Sequence, residues 1–96
     1  MFTVIETEEF GAWLGSIKDR ATRFRLARRL DKARAGNLGD VKPVGGGVHE
    51  MREFFGPGWR MYYVERAGVL IVMLGGGEKS SQDADIQKAI ALAKEL

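Results

Sequence analysis

Apolar positions in this chain change period twice, and the changes mark its elements. Residues 2 to 5, FTVI, suit a short strand. After Thr7, which can cap a helix with Glu8 and Glu9 in the first turn, Phe10, Trp13, Leu14 and Ile17 recur at helical spacing. A second helix is expected from about Arg20 to Ala35, with Leu26, Ala27, Leu30 and Ala33 on one face and Gly36 as its stop. Beyond the turn-rich GNLGD the period drops to two. HEMREFF places Glu50, Arg52 and Phe54 on one face and His49, Met51, Glu53 and Phe55 on the other. FGPGWR reads as a turn. WRMYYVE sets Arg60, Tyr62 and Val64 against Met61 and Tyr63, and VLIVML reads as a central strand covered on both faces. Ser81, with Asp83 and Asp85 after it, opens a last helix burying Ile86, Ala89, Ile90 and Ala93.

The order is strand, helix, helix, three or four strands, helix. It predicts one α+β domain over residues 1–96, with a small antiparallel sheet joined by hairpins, an N-terminal helical hairpin and a C-terminal helix. The two N-terminal helices are expected to cover one side of the sheet and to leave the other open for chemistry or a partner.

Composition narrows the chemistry. With 96 residues, 45% apolar and 29% charged, the chain has room for one core. A domain of this size buries roughly 60–65% of its unfolded surface, so covering an apolar patch with a partner would stabilise it. There is no cysteine, and His49 stands alone, so thiolate and all-histidine metal sites are excluded and no cofactor is expected. The start MFTVIETEEF carries acids where a signal peptide carries cations, and no apolar run approaches the roughly 18 residues of a membrane span. A cytoplasmic protein without a membrane partner is the expectation.

Net charge is only +2, but residues 18 to 34 hold eight cations against Asp19 and Asp31. Helical spacing puts Arg25, Arg28, Arg29 and Lys32 in one stripe opposite the apolar face, which fits an anionic partner or a solvated surface. Arg52 and Arg60 fall in neighbouring strands of a hairpin. The stretch LGGGEKSSQ then leaves the next strand beside them and carries Lys79. Three cations so placed suit a phosphodiester and the charge that develops on it during attack by an RNA 2′-hydroxyl. The competing arrangement pairs each arginine with Glu50, Glu53 or Glu65 across strands. LGGGEKSSQ lacks the Gly-Lys-Ser spacing of a nucleotide-binding loop, and its three glycines predict a mobile lip presenting Lys79. Trp13 at helical spacing reads as core. Trp59, beside the GPG turn, fits either base stacking or an anchor closing the hairpin.

The series FGAWLGSIKD, ARRLDKARAGNLGDVKPVGGGVHEMRE and GPGWRMYYVERAGVLIVMLGGGEKSSQDADIQKA resembles the RelE/ParE superfamily of toxins, and within it the HigB-like, phage-derived addiction-module killer proteins. The resemblance covers nearly the whole chain. It implies the toxin of a type II toxin–antitoxin module, a metal-independent endoribonuclease that cuts mRNA on the ribosome and inhibits translation. Its implied partners are the ribosome, mRNA and a cognate antitoxin, expected to be a helix-turn-helix DNA-binding protein. By position, Arg60 matches the strand arginine that contacts the scissile phosphate, and Lys79 matches the basic residue after the last strand. Where the superfamily's well-studied ribonucleases carry strand lysines this chain has Val48 and Glu50, and near the start of the last helix it has Asp85 in place of a tyrosine. His49, Tyr62 and Asp85 are the candidate substitutes for proton transfer. The catalytic set is then Arg60, Lys79, Asp85 and His49, and the RNA-binding set Arg52, Lys42, Trp59, Arg25, Arg28, Arg29 and Lys32. The departures equally fit a non-enzymatic toxin of the same fold that poisons a protein such as DNA gyrase, or a decayed module that only binds its antitoxin.

Overall fold

Thr7 ends the first strand and starts the first helix. Its side-chain oxygen accepts from the Phe10 N–H at 3.1 Å while its hydroxyl donates to the Met73 carbonyl at 2.7 Å. In the computed structural model, which describes residues 1–96, β1 (Thr3–Glu6) leads through this cap into α1 (Glu8–Ser16) and then α2 (Arg20–Arg34). Helix α2 stops before Gly36, whose φ of 100° belongs to the left-handed region that glycine tolerates. Strands β2 (Val41–Gly45), β3 (Val48–Arg52), β4 (Trp59–Arg66) and β5 (Leu70–Glu78) follow. One turn of 3-10 helix, Lys79–Ser81, then leads into α3 (Gln82–Glu95).

The five strands are ordered β1-β5-β4-β3-β2. Strands β2 to β5 form the expected antiparallel meander, but β1 pairs with β5 in parallel, Thr3 opposite Leu70 and Glu6 opposite Met73. The sheet is therefore mixed rather than antiparallel. A four-residue strand has an alternation that tells faces apart but carries no sign of direction. Strand β2 carries Pro43, tolerated because it lies at the sheet edge, where the register shifts between Pro43 and Gly45.

Pairing fixes the two faces. Met51, Met61, Tyr63, Ile71 and Met73 point to the helical hairpin and pack with Phe10, Ile17, Leu26, Leu30 and Ala33. Val48, Tyr62, Val64 and Leu74 point the other way, where α3 covers them with Ala89 and Ala93. That second face is not open, contrary to the expectation from sequence. The apolar side of α3 needs a surface, and the face away from the hairpin supplies it.

The GGG segment is the other departure. It is not a mobile lip: Gly75, Gly76 and Gly77 continue β5, opposite Tyr62, Met61 and Arg60. None of the three has a positive φ, so backbone freedom does not explain them. Close packing does. A Cβ on Gly76 would lie 2.5 Å from the Trp13 ring, and one on Gly77 would overlap the Asp85 carboxylate. No helix is long and apolar enough to cross a membrane.

Candidate functional site

Arg52 and Arg60 are direct cross-strand partners and share a face, as alternation predicts. They lie two residue pairs beyond Glu50 and Tyr62, the next pair on that face, at the end of the sheet where α3 begins. The Lys79 N–H donates to the Gly58 carbonyl at 2.9 Å, which fastens the start of the 3-10 turn to the GPG turn. A Cβ placed on Gly58 would meet Lys79 Cβ at 3.2 Å and Arg60 Nη1 at 3.6 Å. Lys79 and Arg60 thus converge on one glycine, whose φ of 80° also lets the turn close. The Lys79 ammonium is exposed and makes no ion pair, whereas both arginines have acid partners: Asp40 at 2.9 Å from Arg52, and Glu50 at 3.7 Å from Arg60.

Arg60 is only 5% exposed. Its Nη1 donates to the Glu53 and Trp59 carbonyls at 3.0 and 3.1 Å. Glu50, fully buried, accepts at 2.6 Å from the Gln82 amide in the first turn of α3. Four buried polar atoms at this end of the sheet, Glu50 Oε1, Arg52 Nε, Arg60 Nε and the Tyr62 hydroxyl, have no hydrogen-bond partner. Burial, with the charges of Glu50 and then Asp85 adding to it, pushes the Tyr62 hydroxyl above its ordinary value of 10.0. Asp85 lies over Gly77, the cross-strand partner of Arg60, and accepts from the Ser81 hydroxyl at 2.6 Å. One end of the sheet therefore gathers Arg52, Arg60, Lys79, Glu50, Tyr62 and Asp85. Such a set can hold a phosphate with its cations and move a proton with the half-exposed Asp85 carboxylate. No three His, Cys, Asp or Glu side chains converge on a point that could hold a metal ion.

The other predicted residues lie elsewhere. His49 is on the hairpin face, stacked on Tyr63 at 5.4 Å, with the sheet between it and Arg60. Lys42 is exposed on β2, across from Glu50 and two strands away from β4. Trp59 is half-buried, packed edge-on against Trp13 at 6.3 Å, and acts as the hairpin's anchor.

The basic stripe is broken at Arg29. This side chain is buried and paired with Glu53, and it donates to the carbonyls of Leu38, Asp40 and Arg52 at 2.7 to 3.1 Å. A planar fork with five donors ties α2 to the chain before β2 and after β3, so Arg29 is engaged inside the fold instead of being presented on the stripe. Arg25 lies 3.9 Å over the Phe55 ring, which leaves Arg28 and Lys32 as the stripe's unengaged cations.

Glu50 and Phe54 are the site residues that sequence reasoning missed. Glu50 enters the sequence reading only as one competing partner for the arginines; it does pair with Arg60, and the placement of α3 buries it. Alternation puts Phe54 on the face of Arg52 and gives it no role, although it stands 73% exposed beside both arginines.

No family model and no solved structure matches the chain. It is 40% identical over 90 residues to an uncharacterized protein of Haemophilus influenzae, an alignment spanning 94% of this chain and 91% of the relative. With identity of that order along almost the full length of both, the chain belongs to the same family as the Haemophilus influenzae protein.

Proposed function

We propose that this family is a RelE/ParE-like, HigB-type branch and that the chain is the toxin of a type II toxin–antitoxin module, a metal-independent endoribonuclease acting on mRNA at the ribosome. The observation that supports it is the meeting of Arg60 and Lys79 at Gly58, with Arg52 paired to Arg60 and the Asp85 carboxylate over the neighbouring strand. On this reading Lys79 and Arg60 hold the scissile phosphate and stabilise its developing charge. Asp85, oriented by Ser81, takes the 2′-hydroxyl proton.

Lys79→Ala and Asp85→Asn are the variants that test this, because both residues are accessible and neither holds the core together. Arg60→Ala is a poor test: it leaves Glu50 buried without its cation, which costs about 3–5 kcal/mol. Expression of the wild type without an antitoxin is expected to arrest growth and to yield new mRNA ends at translated codons. Either variant is expected to abolish both while melting like the wild type. New ends that persist in both variants would sink the assignment.

The burial of Arg60 and its pairing with Glu50 favour a second reading, a toxin that acts by binding a protein target such as DNA gyrase. Arrested replication with intact transcripts would select it. Absence of any growth arrest would select a decayed module.

A further inference from the structure

Two adjacent phenylalanines follow β3, and their environments are opposite. Phe55 packs against the hairpin core and carries the Arg25 guanidinium 3.9 Å above its ring. Phe54 points away from that core and is 73% exposed. The guanidinium carbons of Arg52 and Arg60 stand 5.6 and 5.7 Å from its centroid, at the outer edge of the cation–π range. Both lie over the ring at that distance, and the ring still keeps most of its surface open to solvent. The turn that follows holds this geometry, since Gly56 and Gly58 have φ of 57° and 80° and Pro57 between them has its φ restricted. Phe24 is also strongly exposed, but it has no cation over its ring.

We propose that Phe54 is the stacking platform for one unpaired nucleobase of a single-stranded RNA whose adjacent phosphate lies at Arg52, Arg60 and Lys79. This rests on the assignment of those cations to a phosphate. An exposed ring among cations offers a nucleotide both things it presents, a flat π face and an anion on the same residue. A protein partner is a poorer fit, because apolar anchors in protein interfaces sit in desolvated pockets ringed by further contacts. Phe54 has the two guanidiniums of Arg52 and Arg60 over it instead.

The test is equilibrium binding of the full chain to a fluorescein-labelled single-stranded RNA and to an oligonucleotide of equal length and charge with abasic internal positions. Phe54→Ala is expected to lower affinity for the first by roughly 10-fold, within the range of one lost base–aromatic stack, and to leave the second unchanged. Phe54→Trp is expected to retain the affinity, and Phe24→Ala to change nothing. Lys79→Ala should weaken both oligonucleotides alike and lower the salt slope by about one ion, which Phe54→Ala should not do. Unchanged affinity in Phe54→Ala, or an equal loss on both oligonucleotides, would overturn the platform while leaving the phosphate site standing. Failure of the wild type to bind either oligonucleotide would overturn both. Loss in Phe54→Ala of a stable complex with a purified protein partner, with RNA affinity intact, would reassign the ring to a protein interface.

Discussion

Gly76→Ala adds a single methyl group to β5. That methyl would sit 2.5 to 2.6 Å from three atoms of the Trp13 ring, which is itself held between Phe10 at 5.7 Å and Trp59 at 6.3 Å. The indole cannot turn aside without disturbing both neighbours. Overpacking of this kind costs about 1–3 kcal/mol, and the ordinary advantage of alanine over glycine in a strand returns about 0.5–1. The net loss is about 1–2 kcal/mol. In a domain of this size that lowers the melting temperature by roughly 5–15 °C. Gly75→Ala is the internal control: nothing lies within 4 Å of its new methyl, so it should show only the gain of alanine over glycine, about 0.5–1 kcal/mol. Thermal and urea unfolding followed by tryptophan emission measures both. In a Trp13→Leu background the Gly76→Ala cost should largely vanish, a coupling of about 1 kcal/mol or more in the double-mutant cycle. If Gly76→Ala is as stable as Gly75→Ala, or if its cost survives removal of the indole, the segment is not a packed strand and the seating of Trp13 is refuted.

Arg29→Ala should destabilise by about 3–5 kcal/mol in urea unfolding, because it strips a half-buried carboxylate and three carbonyls of one shared donor; Arg28→Ala, on the surface, should stay within about 0.5. Burial raises the Tyr62 and Tyr63 hydroxyls above their ordinary value of 10.0, so both stay protonated in the fold while the unfolded chain ionises. Their contribution to stability is complete below about pH 10 and lost as pH rises beyond it; Tyr62→Phe should flatten that loss in denaturation measured from pH 8 to 11, and an unchanged slope would contradict it. Reversing Arg28 and Lys32 to glutamate should weaken binding to an anionic partner and flatten its salt dependence, as read by titration at two ionic strengths. Full binding at low salt would return these two cations to the solvated surface.

Periodicity carried most of the architecture. Helices α1 and α2 begin and end within about two residues of where caps and apolar spacing put them, and the sidedness of β3 and β4 follows alternation residue by residue. What alternation does not encode is which layer covers a face. Glu50 therefore read as a surface partner for arginines, although α3 shuts it in completely. Arg29 belonged to a regular basic stripe, and nothing local announces that the GNLGD segment brings two carbonyls to it across Gly39. The glycines of β5 read as a mobile lip because their packing depends on Trp13 and Asp85, which reach them from other elements. Arg60 and Lys79 were legible as a pair, but the exposure of Phe54 was not, since it depends on how the GPG turn closes.

The parallel pairing of β1 with β5 has a consequence for how the protein comes into being. Thr7 bonds to Met73 across 66 residues of sequence, and Trp13 has no seat until Gly76 exists. At translation rates of roughly 5–20 residues per second, the first strand and helix wait about 3–13 s for their partners. Contacts of such long sequence separation form late and slow the whole transition. Arg52 and Arg60 likewise lack Lys79 and the α3 turn beside them until the last strand is made. The cationic face is therefore absent from the nascent chain until β5 and the turn that carries Lys79 have been made.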